Sequence, residues 1–447
     1  MVRAAALAFG LALIAAASAP AEIVAHGVRD GMLALGPNGA PYVAYVKGGS
    51  LLVAERSAKG SWSSTKADSL SKGTQLMAFE VGAAGPVALT LSADNRRLVL
   101  VRRQLVGWQR IRIEGRLPAR TLLGWPGLAL DRRGLPFIGY TRWRFPSYNT
   151  RLMLAHVDAA GRVRREQITA EGFPKSYAPP PAEPVLIGGH VHVIESYGFR
   201  GVVGTLEWLR RKHTWIGNGL DAGIGDFALG AVFGGVAPSH RLYAAWTESL
   251  SSFDGAAPVA LAERGSVSIT NLILDRALTT GLALAPSGPE VAANEWVGSD
   301  DLGLGGSKYL WAGTVVRGDS QVELDGWIAG LAVASRGRDL LLSGAPGLSW
   351  FHSPRRLSTR VSIDATDEGD GSVQITGDVA GAVGGRVAVY RERPGEARVL
   401  VARVPLSGGT FSLVDQPTAR PLVYRAVYKD PATGIPYAAL LRDPITS

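Results

Sequence analysis

Residues 36–45 read GPNGAPYVAY, and residues 131–140 read DRRGLPFIGY. Gly39, Pro41 and Tyr45 fall in register with Gly134, Pro136 and Tyr140. An apolar run precedes each copy and a half-alternating run follows it, as expected of two strands joined by a tight turn. Gly supplies the unusual backbone angles of such a turn, and Pro is tolerated at a strand's first residue. The pattern recurs in weaker form along most of the chain, in units at 32–62, 77–108, 128–157, 185–209, 228–267, 282–316 and 331–351. Each reads as strand, Gly turn, strand, gap, strand, and often a fourth strand. The spacing of roughly 45 to 55 residues suits one four-stranded propeller blade better than any helical repeat. A lone blade cannot bury both faces of its sheet, whereas blades stacked in a ring bury one another and leave few open edges.

The fold class expected is therefore all-β, with a β-propeller over residues 22–355 and a β-sandwich over 356–447. The count is seven blades. Six blades plus an extra sheet is the alternative, because units four, five and seven are degenerate; two sandwiches or a β-helix is a further one. The pattern changes near Ser353-Pro354-Arg355. Beyond it come short strands such as SVQITGDV, RVAVYRE and VYRAVY, separated by turn signals such as DEGDG, RPGE and DPATG. That density of strands suggests an immunoglobulin- or fibronectin-like sandwich.

Residues 1–21 read as a secretory signal peptide: Arg3 as the positive start, Ala4 to Ala17 as the apolar run, and Ala19-Pro20-Ala21 as the cleavage site. An uncleaved anchor is the alternative. No later stretch reads as a spanning helix, so the expected location is secreted or cell-surface, with no transmembrane segment in the mature chain. The chain has no Cys among its 447 residues, which excludes a disulfide framework, a thiol nucleophile and cysteine-bound zinc. The net charge is +9, but the cations are scattered among Asp and Glu, so nucleic acid is not expected as a partner.

Units one and three resemble the blades of secreted bacterial β-propellers of the BNR or sialidase-like type. The matching residues are Gly39, Pro41, Val43, Ala44 and Tyr45, then Leu51, Ala54 and Arg56, then Gly60 and Trp62. The resemblance covers residues 30–350 and implies a fold; that superfamily hosts enzymes and binders alike. Ser92-Ala93-Asp94-Asn95 begins like a sialidase Asp box, but Arg96 and Arg97 stand in its Gly region. Arg116-Leu117-Pro118 is the nearest string to the family's Arg-Ile-Pro motif, so no catalytic residue is carried over.

If the strands run A to D from the axis outward, the B–C and D–A connections share one face, and the long connections are nearly all of that kind. They include TRWRFPSYNTR (141–151), TAEGFPKSYAPPPAEP (169–184), ESLSSFDGAAP (248–258) and WVGSDDLGLGGSK (296–308). Long insertions confined to one face suggest a binding face. Counting along strand B places Lys47, Arg142, Tyr197, Glu248 and Glu295 at one rank, expected to rim one opening. Arg142, Trp143, Arg144 and Tyr148 form a cationic, aromatic loop suited to stacking on sugars and gripping carboxylates; Trp143 packed under its own loop is the alternative. Glu248 and Glu295 on neighbouring blades are a candidate general acid and base for glycoside cleavage. Asp300-Asp301 in a Gly-rich loop is a candidate Ca²⁺ site, although no cofactor is expected. His190 and His192 share one side of a strand, and two core histidines is the better reading than the start of a zinc site. The function expected is a secreted, monomeric binding protein that recognises a glycan, cell-wall polymer or protein through the loop-rich face. The alternative is a carbohydrate-active enzyme, a sialidase-like glycoside hydrolase or lyase.

Overall fold

The computed structural model describes residues 21–447 apart from 29, 171–174, 200–201, 213, 225–226, 238, 250–258, 265–269, 274–276, 299–308, 345–346, 383, 443–444 and 446–447. The signal-peptide segment, the Asp300-Asp301 loop and most of the 248–258 and 296–308 connections lie outside the described residues. All regular structure among the described residues is β. None of it includes a helix long and apolar enough to cross a membrane.

The described residues open with β1 (Glu22–His26) and then build antiparallel sheets in succession. Sheet 1 holds β2 (Gly31–Leu35), β3 (Pro41–Lys47), β4 (Ser50–Arg56) and β5 (Trp62–Ser69). Sheet 2 holds β6 (Gln75–Gly82), β7 (Gly85–Leu91), β8 (Leu98–Arg103) and β9 (Trp108–Glu114). Sheet 3 holds β11 (Gly127–Leu130), β12 (Pro136–Arg144), β13 (Asn149–Val157) and β14 (Val163–Gln167), with short β10 (Thr121–Leu123) also pairing with the far end of β12. Sheet 4 holds β15 (Ala182–Ile187), β16 (His190–Phe199), β17 (Val202–Arg211) and β18 (Thr214–Ile224). Sheet 5 holds β19 (Phe227–Val236), β20 (Leu242–Ser249), β21 (Val259–Glu263) and β22 (Thr270–Ile273). Sheet 6 holds β23 (Ala277–Ala285), β24 (Gly288–Gly298), β25 (Tyr309–Arg317) and β26 (Ser320–Leu324). Sheet 7 holds β27 (Trp327–Ala334), β28 (Gly337–Ser343) and β29 (Gly347–Ser353), and β1 is its fourth strand, pairing Glu22 with Trp350.

The repeated turn sits between the first two strands of a sheet. Leu35 pairs with Pro41 and Leu130 with Pro136, with Gly39 at φ 74° and Gly134 at φ 77°, a region that favours Gly. The first strand of each sheet packs on the first strand of the next, and β27 packs on β2, so the succession returns to its start. Stacked sheets must be apolar on both faces, and β28 accordingly is buried at every position. Trp246, Tyr140 and Leu100 are among the largest fully buried side chains.

The C-terminal segment forms two further small sheets. In one, β30 (Arg360–Val361), β31 (Asp364–Asp367) and β35 (Thr410–Asp415) all pair with β32 (Val373–Ala380). The other runs β34 (Val399–Pro405), β33 (Arg386–Glu392), β36 (Val423–Lys429), β37 (Pro436–Leu440). Tyr437 of β37 pairs with Leu324 of β26, which joins this second sheet edge-on to sheet 6. One continuous apolar cluster runs from Ile328 and Leu340 through Leu324 to Tyr424 and Val389. Arg425, 3% exposed, ties the junction by donating to Glu392 at 2.8 Å and to the Trp311 carbonyl at 2.9 Å.

Candidate functional site

A strand's side chains alternate between its two faces. In stacked sheets those faces look at the neighbouring sheets, and only the strand ends reach a solvent face. Among the residues expected to rim one opening, Lys47 and Arg142 follow this rule. Lys47 Nζ donates to the His26 carbonyl of β1 at 3.0 Å, across the gap to sheet 7. Arg142 forms an ion pair with Glu114 at the end of β9, across the gap to sheet 2. Tyr140, two residues earlier on the same face, donates its hydroxyl to the same carboxylate at 3.2 Å. Glu295 is 4% exposed, accepts from Thr314 Oγ1 at 2.7 Å and Gln321 Nε2 at 3.0 Å, and pairs with Arg442 at 2.6 Å. Burial pushes its carboxyl pKa up, against the pull of Arg442. Glu248 pairs through its backbone with Ala228, and its side chain lies outside the described residues. The side chains of Lys47, Arg142 and Glu295 thus engage partners on neighbouring strands and segments.

The gap between sheets 3 and 4 is different. On β12 the residues facing sheet 4 are Phe137, Gly139, Thr141 and Trp143, opposite His156, Leu154, Leu152 and Thr150 of β13. Leu152 and Leu154 pack there on Val193 and Trp208 of sheet 4. Gly139 is small for a reason: a Cβ there would stand 3.2 Å from Pro184 Cδ and 3.3 Å from the Ala182 carbonyl. The middle of the gap holds Glu195, fully buried, with Trp208 Nε1 donating to one oxygen at 3.2 Å and no hydrogen-bond partner for the other among the described residues. Burial raises its carboxyl pKa to about 8.

At the long-loop end of this gap stands an aromatic shelf. Trp143 is 7% exposed and donates Nε1 to the Ser176 carbonyl at 2.7 Å, so it supports the loop from beneath. Above it lie Phe145 at 6.1 Å and Tyr148 at 6.2 Å between ring centroids. Tyr148 meets Phe145 edge-on at 5.9 Å and Tyr177 edge-on at 5.4 Å, geometries favoured by the ring quadrupoles. Phe145 is 49% exposed and Tyr177 39%, so two ring faces stay open to solvent. Exposed Arg144 follows Trp143, and Trp125 is also open near Ala182, whose amide it accepts at 2.9 Å. Tyr197 lies half-buried over Gly204, where a Cβ would meet its ring at 2.7 Å.

The cationic aromatic loop of the sequence reading therefore divides. Trp143 serves as support and Arg142 is neutralised by Glu114, while Arg144 and Tyr148 remain at the surface. Phe145 and Tyr177 are the open rings that the reading omitted. Phe145 was inside the quoted loop; Tyr177 belongs to the neighbouring connection, which sequence spacing does not bring to it.

The two histidines also separate. His192 is buried with Nδ1 2.6 Å from Glu207 Oε1, and Arg264 approaches the other oxygen of Glu207 at 3.0 Å. His190 is exposed. Among the described residues no three His, Asp or Glu side chains gather as a metal site.

No protein-family profile matches the chain, and no curated protein matches it. Several solved structures share part of its strand arrangement. A lectin from Aleuria aurantia, described as a six-bladed β-propeller with a novel fucose recognition mode, is 10% identical with a TM-score of 0.44, covering 66% of this chain and 93% of its own. AofleA from Arthrobotrys oligospora is 9% identical with a TM-score of 0.42, over 70% and 93% of the two chains. An exo-β-1,3-galactanase from Phanerochaete chrysosporium is 10% identical with a TM-score of 0.38, over 87% and 100%. Likenesses this distant assign this chain neither ligand nor activity.

Proposed function

We propose that the protein is a secreted seven-bladed β-propeller with a C-terminal immunoglobulin-like sandwich that binds an extracellular glycan through its long-loop face. The domains are a signal peptide at 1–21, the propeller at 22–355 and the sandwich at 356–447, and the protein acts as a monomer. The observation that carries the function is the shelf of Phe145, Tyr148 and Tyr177 braced by buried Trp143. Flat apolar ring faces suit the C–H faces of sugars, and rigid aromatic side chains lose little entropy on binding.

The test is a glycan array probed with wild-type protein and the Phe145→Ala/Tyr177→Ala double variant. The expected result is a set of hits that the variant loses. Hits retained by the variant would move the site elsewhere, and a wild-type protein with no hits would point to a protein partner.

An enzyme reading keeps one foothold, away from Glu295. Glu80 of β6 and Glu183 of β15 lie on innermost strands. Glu80 is open to water yet ringed by protein, and this crowding pushes its carboxyl up to about 7. Crowding and the charge of Glu80 push Glu183 well above the usual carboxylate range, against a hydrogen bond from the Leu128 amide. A carboxyl near neutral suits a general acid. Hydrolysis of an array hit by wild type but not by Glu80→Gln would favour this reading.

A further inference from the structure

The gap between sheets 3 and 4 opens a second time, on the opposite, short-turn face, as a groove of about 670 Å³. Its floor is Phe137 stacked on His156, with ring centroids 4.4 Å apart and planes 21° from parallel. Its outer wall is Trp215, half-buried, whose Nε1 donates to Glu166 Oε1 at 2.9 Å. Around these rings stand four cationic side chains, Arg164, Arg165, Arg210 and Lys212, against the single carboxylate of Glu166. Glu166 is engaged by Arg210 at 3.2 Å, and Arg165 Nε donates to the Ile113 carbonyl at 2.6 Å. Exposed His190 also lines the groove. The two strand-end pairs are set by register: His156 lies opposite Arg164, and Arg210 stands two residues beyond Trp208 on the same face of β17.

We propose that this groove is a second binding site, for an acidic oligosaccharide carrying carboxylate or sulfate groups. Charge alone would suit any polyanion. The stacked Phe137–His156 floor and the Trp215 wall add ring faces on which sugar rings can stack, and guanidinium forks grip carboxylate or sulfate oxygens in pairs. The site is independent of the aromatic shelf: it lies at the other end of the same sheet–sheet gap, with the apolar contact of Leu152, Leu154 and Trp208 between them.

The test is calorimetry of the full mature chain at about physiological salt with a heparin-derived hexasaccharide, an oligogalacturonate, a neutral cello-oligosaccharide, and inorganic polyphosphate of matched charge. The variants are Arg164→Glu/Lys212→Glu, Trp215→Leu, and Phe145→Ala/Tyr177→Ala as the control at the other end. Circular dichroism melts establish that each variant is folded. The expected result is binding of one or both acidic sugars, lost on charge reversal, weakened about tenfold by Trp215→Leu, and unchanged in the control. Oligogalacturonate carries carboxylates alone and heparin carries both groups, so binding of both shows that carboxylates suffice and binding of heparin alone shows that sulfate is needed. The proposal is overturned if charge reversal leaves binding intact, or if polyphosphate binds as tightly and Trp215→Leu has no effect, which would mean unspecific attraction of polyanions. Binding lost only in the control variant would also overturn it and assign acidic sugars to the shelf.

Discussion

The two ends of the gap between sheets 3 and 4 share strands β12 and β13, yet they differ in chemistry. At the long-loop end the rings are open and the nearest strand cation, Arg142, is held by Glu114. At the short-turn end the rings form floor and wall, and cations outnumber the one carboxylate. The cause is the two-residue alternation of β12 and β13. Trp143 and Phe137 share one face, six residues apart, and fall at opposite mouths. Arg142 is on the other face and is spent on sheet 2. The comparison teaches that an Arg beside an aromatic in sequence is not an Arg beside it in a stacked sheet.

The largest effect is expected from the middle, which keeps the two mouths apart. Trp208→Ala should cost about 3–5 kcal/mol, since it removes a buried indole and leaves Glu195 without a donor. Denaturant unfolding checks this, and both binding activities should weaken together. If only one mouth is affected, the two ends do not share a rigid frame.

Glu114→Gln should cost about 1–3 kcal/mol by leaving Arg142 without its carboxylate. It should also sharpen the comparison: Arg142 lies on the face of β12 toward sheet 2, so its release should leave the shelf's ligand preference unchanged. Titration of the variant with a heparin hexasaccharide should show no binding event absent from wild type, and a new one would place Arg142 at the shelf.

Glu195 makes a pH prediction. Its folded pKa of about 8 lies above the unfolded value near 4.5, so the folded state holds the proton more tightly. The stabilisation is complete below pH 4.5 and is lost as pH rises through 8. Melting curves of Glu195→Gln should match or fall below wild type at pH 5 and rise above it at pH 9. Parallel curves at both pH values would show that Glu195 is not protonated in the fold.

The smallest effect is expected far from the gap. Arg442→Ala leaves Glu295 without its cation, but Arg442 is over a third exposed and Thr314 and Gln321 still donate. A loss of about 1–2 kcal/mol, with both binding activities unchanged, is expected. A change in glycan binding would bring Glu295 back as a site residue.

Much of the architecture was legible because its signals are local. Gly-x-Pro turns and apolar first strands mark sheets 1 and 3 directly, and counting from Pro41 and Pro136 recovers strand B in the others. The fourth strand of sheet 7 was not legible, because β1 and β29 lie at opposite ends of the stacked-sheet region. For the site, the alternation of PFIGYTRW already puts Phe137 and Trp143 on one side. What no local pattern carries is the partner: Glu114 stands 28 residues from Arg142, and Ser176 33 residues from Trp143. Both contacts cross between sheets or loops and decide which side chains are left open.

The most direct test of the aromatic shelf is a crystal structure with the strongest neutral oligosaccharide from the array. A sugar ring stacked on Phe145 or Tyr177, above Trp143, is the predicted result. The same sugar seated in the inner-strand region by Glu80 and Glu183, with the shelf empty, would contradict it.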